Sequence, residues 1–146
     1  MNEDTNKIIR NYLAGQTTLT DIVDDRIYCP RLPEGATLPA VGFFTRGGSS
    51  TPYIPGLVTP SVQFDCWAEN VEVAGVETRG DITARQVYRA LYDVLQGIQN
   101  QAVVVDGTTY YIESAIEEVQ GQDLQDVDVP TYFRVLAQFS IMIKAE

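Results

Sequence analysis

Hydrophobic residues recur at two different periods along this chain, and the two periods predict different secondary structures. Between residues 81 and 96 the apolar positions follow the i, i+3, i+4, i+7 spacing of an amphipathic helix, which Gly97 would end. A shorter stretch of the same kind, residues 5–14, predicts a first helix. A further helical turn is predicted over 19–23, followed by a brief strand at 26–28.

The strand predictions depend on alternation, which places every second side chain on the same face of a sheet. Val62, Phe64 and Cys66 alternate with polar residues in the clearest example, and the region before the C-terminus alternates in the same way. Asp106-Gly107 is a strong hairpin signal because a type I′ turn requires positive φ at both central residues. The predicted strands are 40–46, 61–68, 102–105, 108–116 and 130–144.

Together these elements predict an α+β fold, with a mainly antiparallel β-sheet of about four to five strands and two helices packed on one face. A length of 146 residues suits a single domain, 1–146. The hydrophobic content of 45% is ordinary for a globular domain, so neither a disulfide nor a metal is needed to hold a core. Cys29 and Cys66 lack a Cys-x-x-Cys spacing, and we interpret them as small apolar side chains.

One long segment, residues 47–60, follows neither period. Its three prolines and three glycines argue against a core strand or helix, so we predict a long Gly/Pro-rich loop or arm. Because it also carries large apolar residues, two interpretations stay open: an arm that contacts a partner, or a merely mobile loop. These apolar residues are Tyr53, Ile54, Leu57 and Val58.

The charge balance is strongly acidic, with 10 basic and 20 acidic residues and a net charge of −10. This argues against tight nucleic-acid binding, which needs clustered Lys and Arg. Between Arg89 and Arg134 there are eight acids and no basic residue, a run that usually forms a solvated face. No window approaches the ~18 consecutive apolar residues of a membrane span, and residues 1–4 lack the features of a signal peptide. We therefore expect synthesis in the cytosol and no membrane association.

The residues needed for common catalytic chemistry are missing. The sequence contains no histidine, which excludes Ser-His-Asp and Cys-His nucleophile systems and the most common metal ligand. The Gly-Gly-Ser-Ser run at 47–50 lacks the Gly-Lys-Ser/Thr ending of a phosphate-binding loop. Asp123, Asp126 and Asp128 lack the EF-hand spacing, which favours a solvated loop, although a weak divalent-ion site stays open. We predict that the protein is not an enzyme and has neither a cofactor nor a specific metal site.

Several short motifs occur in an order that resembles the tail-completion (tail-terminator) family of long-tailed bacteriophages. The similarity spans residues 13–143, and it departs from the family in the longer connector 69–80 and in the length of segment 47–60. The motifs are Leu19-Thr20-Asp21, Asp25-Arg26-Ile27-Tyr28, Leu38-Pro39-Ala40-Val41, Val62-Gln63-Phe64-Asp65-Cys66-Trp67-Ala68, the helix with Ala84, Tyr88, Leu91 and Leu95, and Pro130-Thr131-Tyr132-Phe133-Arg134-Val135.

The resemblance implies a structural virion protein at the tail–head junction, assembled in the cytoplasm of the host bacterium. Such a protein forms a homo-oligomeric ring, commonly a hexamer, that caps the tail tube, ends tube polymerisation and forms the joint to the head. Its implied partners are further copies of itself, the tail tube protein and a head-completion or neck protein. DNA would pass through the ring without specific binding.

Two sets of surface residues are candidates for this role. A ring needs two different complementary patches on each subunit, and the candidates are the arm residues Tyr53, Ile54, Leu57 and Val58 together with a sheet edge near Trp67. An acidic channel would repel DNA phosphates. The residues we expect to face it are Glu117, Glu118, Asp123, Asp126 and Asp128.

Two alternatives stay open at this stage. A head-completion or stopper protein of the phage neck has a similar size and an α+β composition. From a different class, a small cytosolic ligand-binding or enzymatic domain would use the sheet face around Tyr110, Tyr132 and Trp67.

Overall fold

A computed structural model describes residues 4–125 and 132–145 of the chain, and places three helices against a strongly curled sheet. The helices are α1 (Thr5–Ala14), α2 (Thr17–Val23) and α3 (Gly80–Leu95). The strands are β1 (Ile27–Tyr28), β2 (Ala40–Ser50), β3 (Leu57–Glu69), β4 (Val71–Val73), β5 (Val76–Thr78), β6 (Gln99–Val105), β7 (Thr108–Gln125) and β8 (Tyr132–Ala145). None of the helices in these described ranges is long and apolar enough to cross a membrane.

The predicted fold class is wrong in strand number, sheet type and helix count. Instead of four to five antiparallel strands with two helices, the structure has a six-stranded mixed sheet curled into a half-barrel, a second two-stranded sheet and three helices. The strand order of the large sheet is β1-β2-β3-β8-β7-β6, and β4 pairs with β5 alone. The large sheet is mixed because β1 runs parallel to β2, whereas its other pairs are antiparallel.

The errors arise where the hydrophobic pattern is short or interrupted. The strands β4 and β5 have only exposed residues, so no buried face produces the alternation used to find the others. Helix α2 is a full helix of seven residues rather than a single turn. Strand β7 runs to Gln125 instead of ending at 116, and its register against β8 shifts twice beyond that point, between Glu117 and Val119 and between Val119 and Gln122. Residues 130 and 131 of the predicted closing strand lie outside the described residues.

Segment 47–60 is mostly paired strand rather than irregular loop. Strand β2 continues to Ser50 and β3 begins at Leu57, which leaves residues 51–56 as the turn of a long hairpin. A register shift between Thr45 and Gly48 accommodates the extra residue of a β-bulge. At Gly48 φ is +131°, and a Cβ atom there would lie 2.3 Å from a carbonyl oxygen of β3, so only glycine fits.

The hydrophobic core lies between the helices and one face of the large sheet. We call this face the inner face; it carries Phe43, Phe64 and Phe139, whose rings contact each other at centroid distances of 5.6 and 5.7 Å. The opposite, outer face carries Gln63 and Asp65. The helical period predicts the buried side of α3 correctly at five of its six apolar positions, whereas the sixth, Val94, is only half-buried. The five buried positions are Ala84, Val87, Tyr88, Leu91 and Leu95.

Candidate functional site

The turn between β2 and β3, which we call the arm tip (residues 51–56), projects from one end of the large sheet. Tyr53 is 91% exposed and Ile54 is 51% exposed. Leu57 and Val58 lie in β3 instead, where Val58 packs against the edge of the core and pairs with β8. The backbone N–H of Ala145 donates a 2.9 Å hydrogen bond to the carbonyl of Gly56 and ties the arm tip to β8. The four predicted arm residues are therefore divided between a projecting pair and a pair within the sheet.

Trp67 does not lie at a sheet edge, and that part of the prediction is wrong. It belongs to β3, an interior strand, and pairs with Ala40 on β2 and with Arg134 on β8. The Arg134 guanidinium lies 5.2 Å from the centre of the indole ring. Together with Tyr132 and the 32–36 loop, the half-buried indole lines a small cleft of about 300 Å³. Alternation within β3 predicts which of its side chains share a face. It does not predict which strands pair with β3, because those strands are distant in sequence.

A buried polar pair lies on the outer face beside Trp67. Gln63 donates a 3.3 Å hydrogen bond to the Asp65 carboxylate and accepts one of 2.9 Å from Arg46. Burial raises the pKa of Asp65, while Arg134 at 3.9 Å and the Gln63 hydrogen bond act in the opposite direction. These contacts connect β2, β3 and β8 across the outer face.

The acidic residues expected to share one channel lie on different faces of the sheet. Glu117 accepts a 2.6 Å hydrogen bond from the Tyr88 hydroxyl, and Asp123 lies 3.4 Å from the Arg85 guanidinium, so both face α3. Glu118 lies on the outer face, where its carboxylate accepts a 2.8 Å hydrogen bond from the Ser61 hydroxyl. Asp126 and Asp128 lie outside the described residues. The expectation of one shared channel is wrong for Glu117 and Glu118, because consecutive side chains of a strand point to opposite faces of the sheet.

The β4–β5 hairpin (residues 71–78) is a second projecting element, one that our sequence predictions missed. Its register places three valines with Thr78 on one side, which we call the valine side, and the pair Glu72 and Glu77 on the other. Val73 and Val76 are 66% and 68% exposed. The sequence signal was present as two short alternating runs, Val-Glu-Val and Val-Glu-Thr, around Ala-Gly. The three valines are Val71, Val73 and Val76.

Polar contacts and close packing hold the base of the hairpin. The backbone N–H of Gly80 donates a 2.8 Å hydrogen bond to the Asn70 side chain. A Cβ atom on Gly80 would lie 2.6 Å from the backbone of Glu69 and 2.8 Å from the Phe133 ring, so the hairpin leaves the domain through a gap that only glycine fits. The adjacent Arg79 forms a two-point ion pair with the first turn of α3.

A cleft of about 580 Å³ lies beside this base, and we call it the α3 cleft. Its apolar lining is Ile82 from α3, Leu124 from β7 and Phe133 from β8. Arg85 and Arg89 supply two guanidinium groups, which lie over the rings of tyrosines one turn along the helix at 5.0 and 5.3 Å. The cleft therefore combines an apolar floor with charges of both signs, because Asp81 and Asp123 line it beside the two arginines.

The remaining reactive groups are poorly placed for chemistry. Burial raises the pKa of the Cys66 thiol, and the Asp65 carboxylate raises it further. Burial also raises the pKa of Cys29, and both cysteines are free thiols. In the part of the chain that the structure describes, no three His, Cys, Asp or Glu side chains are grouped as metal ligands. Tyr110 is buried in the core, so it cannot share a ligand-binding surface with Trp67 and Tyr132.

Comparison with known proteins does not assign the chain to a family. No protein-family model and no curated protein matches the sequence. A function must therefore be inferred from the motifs and from the two projecting elements.

Proposed function

We propose that this protein is a structural component of a bacteriophage tail that caps the tail tube as a homo-oligomeric ring. In this role it ends tube polymerisation and forms the joint to the head. One observation carries the proposal: two exposed apolar elements, the arm tip and the β4–β5 hairpin, project from opposite ends of β3. Exposed apolar side chains at projecting sites are typical of protein contacts.

The separation of the two elements supports contacts with different molecules. Strand β3 has 13 residues. At the usual rise per residue it spans about 40 Å. The arm tip precedes it and the hairpin follows it, so the two elements lie at opposite ends of this strand. A protein between a tail tube and a head needs separate contacts of this kind.

The partners we propose are further copies of this chain, the tail tube protein and a head-completion or neck protein. The protein would act at the tail–head junction of the virion after assembly in the bacterial cytoplasm. With a net charge of −10 it would let DNA pass without binding it. Because Glu118 faces away from Glu117 and Asp123, these three acids cannot all line one channel.

Particles assembled without the protein test this proposal. We expect overlong tails in electron micrographs, because nothing would stop tube polymerisation. Tails of normal length beside heads that leak DNA would indicate a stopper protein of the neck instead. Normal, infectious particles would overturn a role in the tail altogether.

A further inference from the structure

We propose that the open edge of β6 in one copy pairs with the open outer edge of β2 in a second copy, so that neighbouring subunits share one continuous sheet. Because this contact would join subunits of the ring, the inference rests on the proposed function. It names the two different surfaces that a head-to-tail contact requires. Neither surface belongs to the arm tip or to the β4–β5 hairpin.

Strand β6 ends the large sheet, and in the described residues its one partner is β7. The two-residue turn Asp106-Gly107 fixes which of its backbone groups are paired, because the residues that flank such a turn bond to each other. Val103 and Val105 therefore face β7, whereas the N–H and C=O groups of Ala102 and Val104 point away from the sheet. Apart from a 3.5 Å hydrogen bond between a neighbouring side chain and the Ala102 carbonyl, no described residue bonds to these outward groups.

Strand β2 also has an open outer edge, because β1 pairs with it at only two positions. On that side the N–H of Val41 donates a 3.0 Å hydrogen bond to the carbonyl of Arg26. Since paired and outward groups alternate along an antiparallel strand, the backbone groups of Phe43 and Thr45 also point outward. In the part of the chain that the structure describes, no strand covers this edge between Phe43 and Ser50.

The distribution of charge favours contact between these two strands. Copies that each carry a net charge of −10 repel each other wherever acidic side chains meet. None of the 20 acidic residues lies in residues 35–64, which include β2, or in residues 94–105, which include β6. Asp106 borders β6, and Lys7 at 2.7 Å compensates its charge. The two strands can therefore approach each other without bringing carboxylates of their own together.

The chemistry of the β6 edge also specifies what covers it. Natural edge strands are protected against pairing by lysine, proline or short length. Strand β6 has seven residues with neither a charge nor a proline, and its Val104 is 62% exposed. An unprotected row of N–H and C=O groups is matched by another strand, and β2 presents such groups at Phe43 and Thr45.

Two proline variants test the contact, because proline on an open edge removes an outward N–H and leaves the bonds within the sheet. Val104→Pro blocks the β6 edge, and Thr45→Pro blocks the β2 edge. We expect each variant alone to self-associate at least about tenfold more weakly than the wild type in sedimentation velocity. An equimolar mixture should associate again, as a heterodimer of twice the single-chain mass, since it contains one intact β6 edge and one intact β2 edge per pair.

The controls are Val104→Ala and Thr45→Ala, which shorten the same side chains but keep the outward N–H. They should associate like the wild type. Circular dichroism shows whether each proline variant is folded, and amide hydrogen exchange of the wild type tests the contact without any substitution. The outward N–H groups of Ala102 and Val104 should exchange at least about tenfold more slowly when the chain associates, whereas those of Val103 and Val105 stay protected throughout.

The inference is overturned by a wild-type chain that stays monomeric at the highest concentration reached, or by outward amides whose exchange does not change on association. Folded proline variants that associate normally, alanine variants that lose association, or a mixture that stays monomeric would also overturn it. Loss of association in Val104→Pro but not in Thr45→Pro would overturn the pairing with β2, because two β6 edges would then pair with each other.

The proposed function can be tested separately from this contact. Any of the results that overturn the contact, combined with overlong tails in particles lacking the protein, would leave the proposed function standing. Normal tails in those particles combined with the heterodimer would do the reverse.

Discussion

The arm tip and the β4–β5 hairpin are both exposed turns with apolar side chains, but they are held in different ways. The arm tip ends two strands of the large sheet and is tied to β8 through Gly56. The hairpin is a separate two-stranded sheet, anchored only at its base. The arm tip has no charged residue, whereas the hairpin alternates valine with glutamate. Under the proposed function, the arm tip would be a preformed, uncharged contact, and the hairpin a contact that carries charge and depends on its partner.

The largest effect should come from blocking the base of the hairpin. Gly80→Val would place atoms where the Glu69 backbone and the Phe133 ring already lie, and we expect the free energy of unfolding to fall by about 2–3 kcal/mol. The matched change at the arm tip is Gly56→Ala, whose Cβ meets only a methyl group at 3.7 Å. Urea unfolding should show a change below about 0.5 kcal/mol for that control. Equal decreases in the free energy of unfolding for Gly80→Val and Gly56→Ala would contradict the difference in how the two elements are anchored.

Replacing the arm tip should show whether it and the hairpin contact different partners. Replacing residues 52–56 by Asn-Gly makes a two-residue turn that preserves the β2–β3 register, in which Ser50 faces Val58. We expect unchanged circular dichroism and unchanged self-association, but at least about a tenfold loss of infectious particles because an anchor contact is gone. A Val73→Ser, Val76→Ser variant should instead self-associate more weakly. Loss of self-association in the arm variant would show that the arm is a subunit contact.

Salt should affect the hairpin contact more than the arm contact. Raising NaCl from 50 to 500 mM shortens the screening length, and we expect self-association to weaken by roughly three- to tenfold. Changing Glu72 and Glu77 to Gln should weaken association at low salt and remove most of this dependence. Sedimentation equilibrium at both salt concentrations measures the effect. A wild-type chain whose association is independent of salt would show that Glu72 and Glu77 do not contribute to the contact.

The smallest effect concerns Asp65 on β3, the strand that joins the two elements. Because burial raises its pKa in the folded state, the folded protein favours the protonated acid. This contribution is present at low pH and is lost as the pH rises through the raised pKa. Relative to Asp65→Asn, the wild type should therefore gain stability, by less than about 1 kcal/mol, between neutral and acidic pH. Urea unfolding of both proteins across this range checks the sign, and a difference independent of pH would contradict it.

The sequence pattern was reliable where a feature depends on neighbours along the chain. The period of residues 81–96 located α3 and its buried side, because helix periodicity is local. Alternation in residues 61–68 placed Val62, Phe64 and Cys66 on the buried face. The same alternation predicted that the opposite face is exposed to solvent, but Gln63 and Asp65 on that face are buried. Their cover includes the Arg46 and Arg134 side chains and a loop that packs on the adjacent β2, none of which lies close in sequence.

The candidate surfaces were only partly predictable for the same reason. The apolar content of segment 47–60 left open both an arm that contacts a partner and a mobile loop. Exposure of Tyr53 and Ile54 does not choose between these interpretations. The prediction of a sheet edge near Trp67 was wrong, because the order of strands in a sheet depends on pairing between segments that are distant in sequence. The β4–β5 hairpin was missed because three-residue strands with no buried face give too weak a pattern.

The sequence by itself determined the acidic charge, the lack of histidine and the amphipathic side of α3. Only the tertiary structure decided that the large sheet is mixed and six-stranded and that Trp67 lies inside it. It likewise separated the acids onto two faces and placed the β4–β5 hairpin beside a cleft that is lined by charges of both signs. The physical reason is that periodicity specifies which face of an element is apolar, whereas long-range packing specifies what covers each face and what is left exposed.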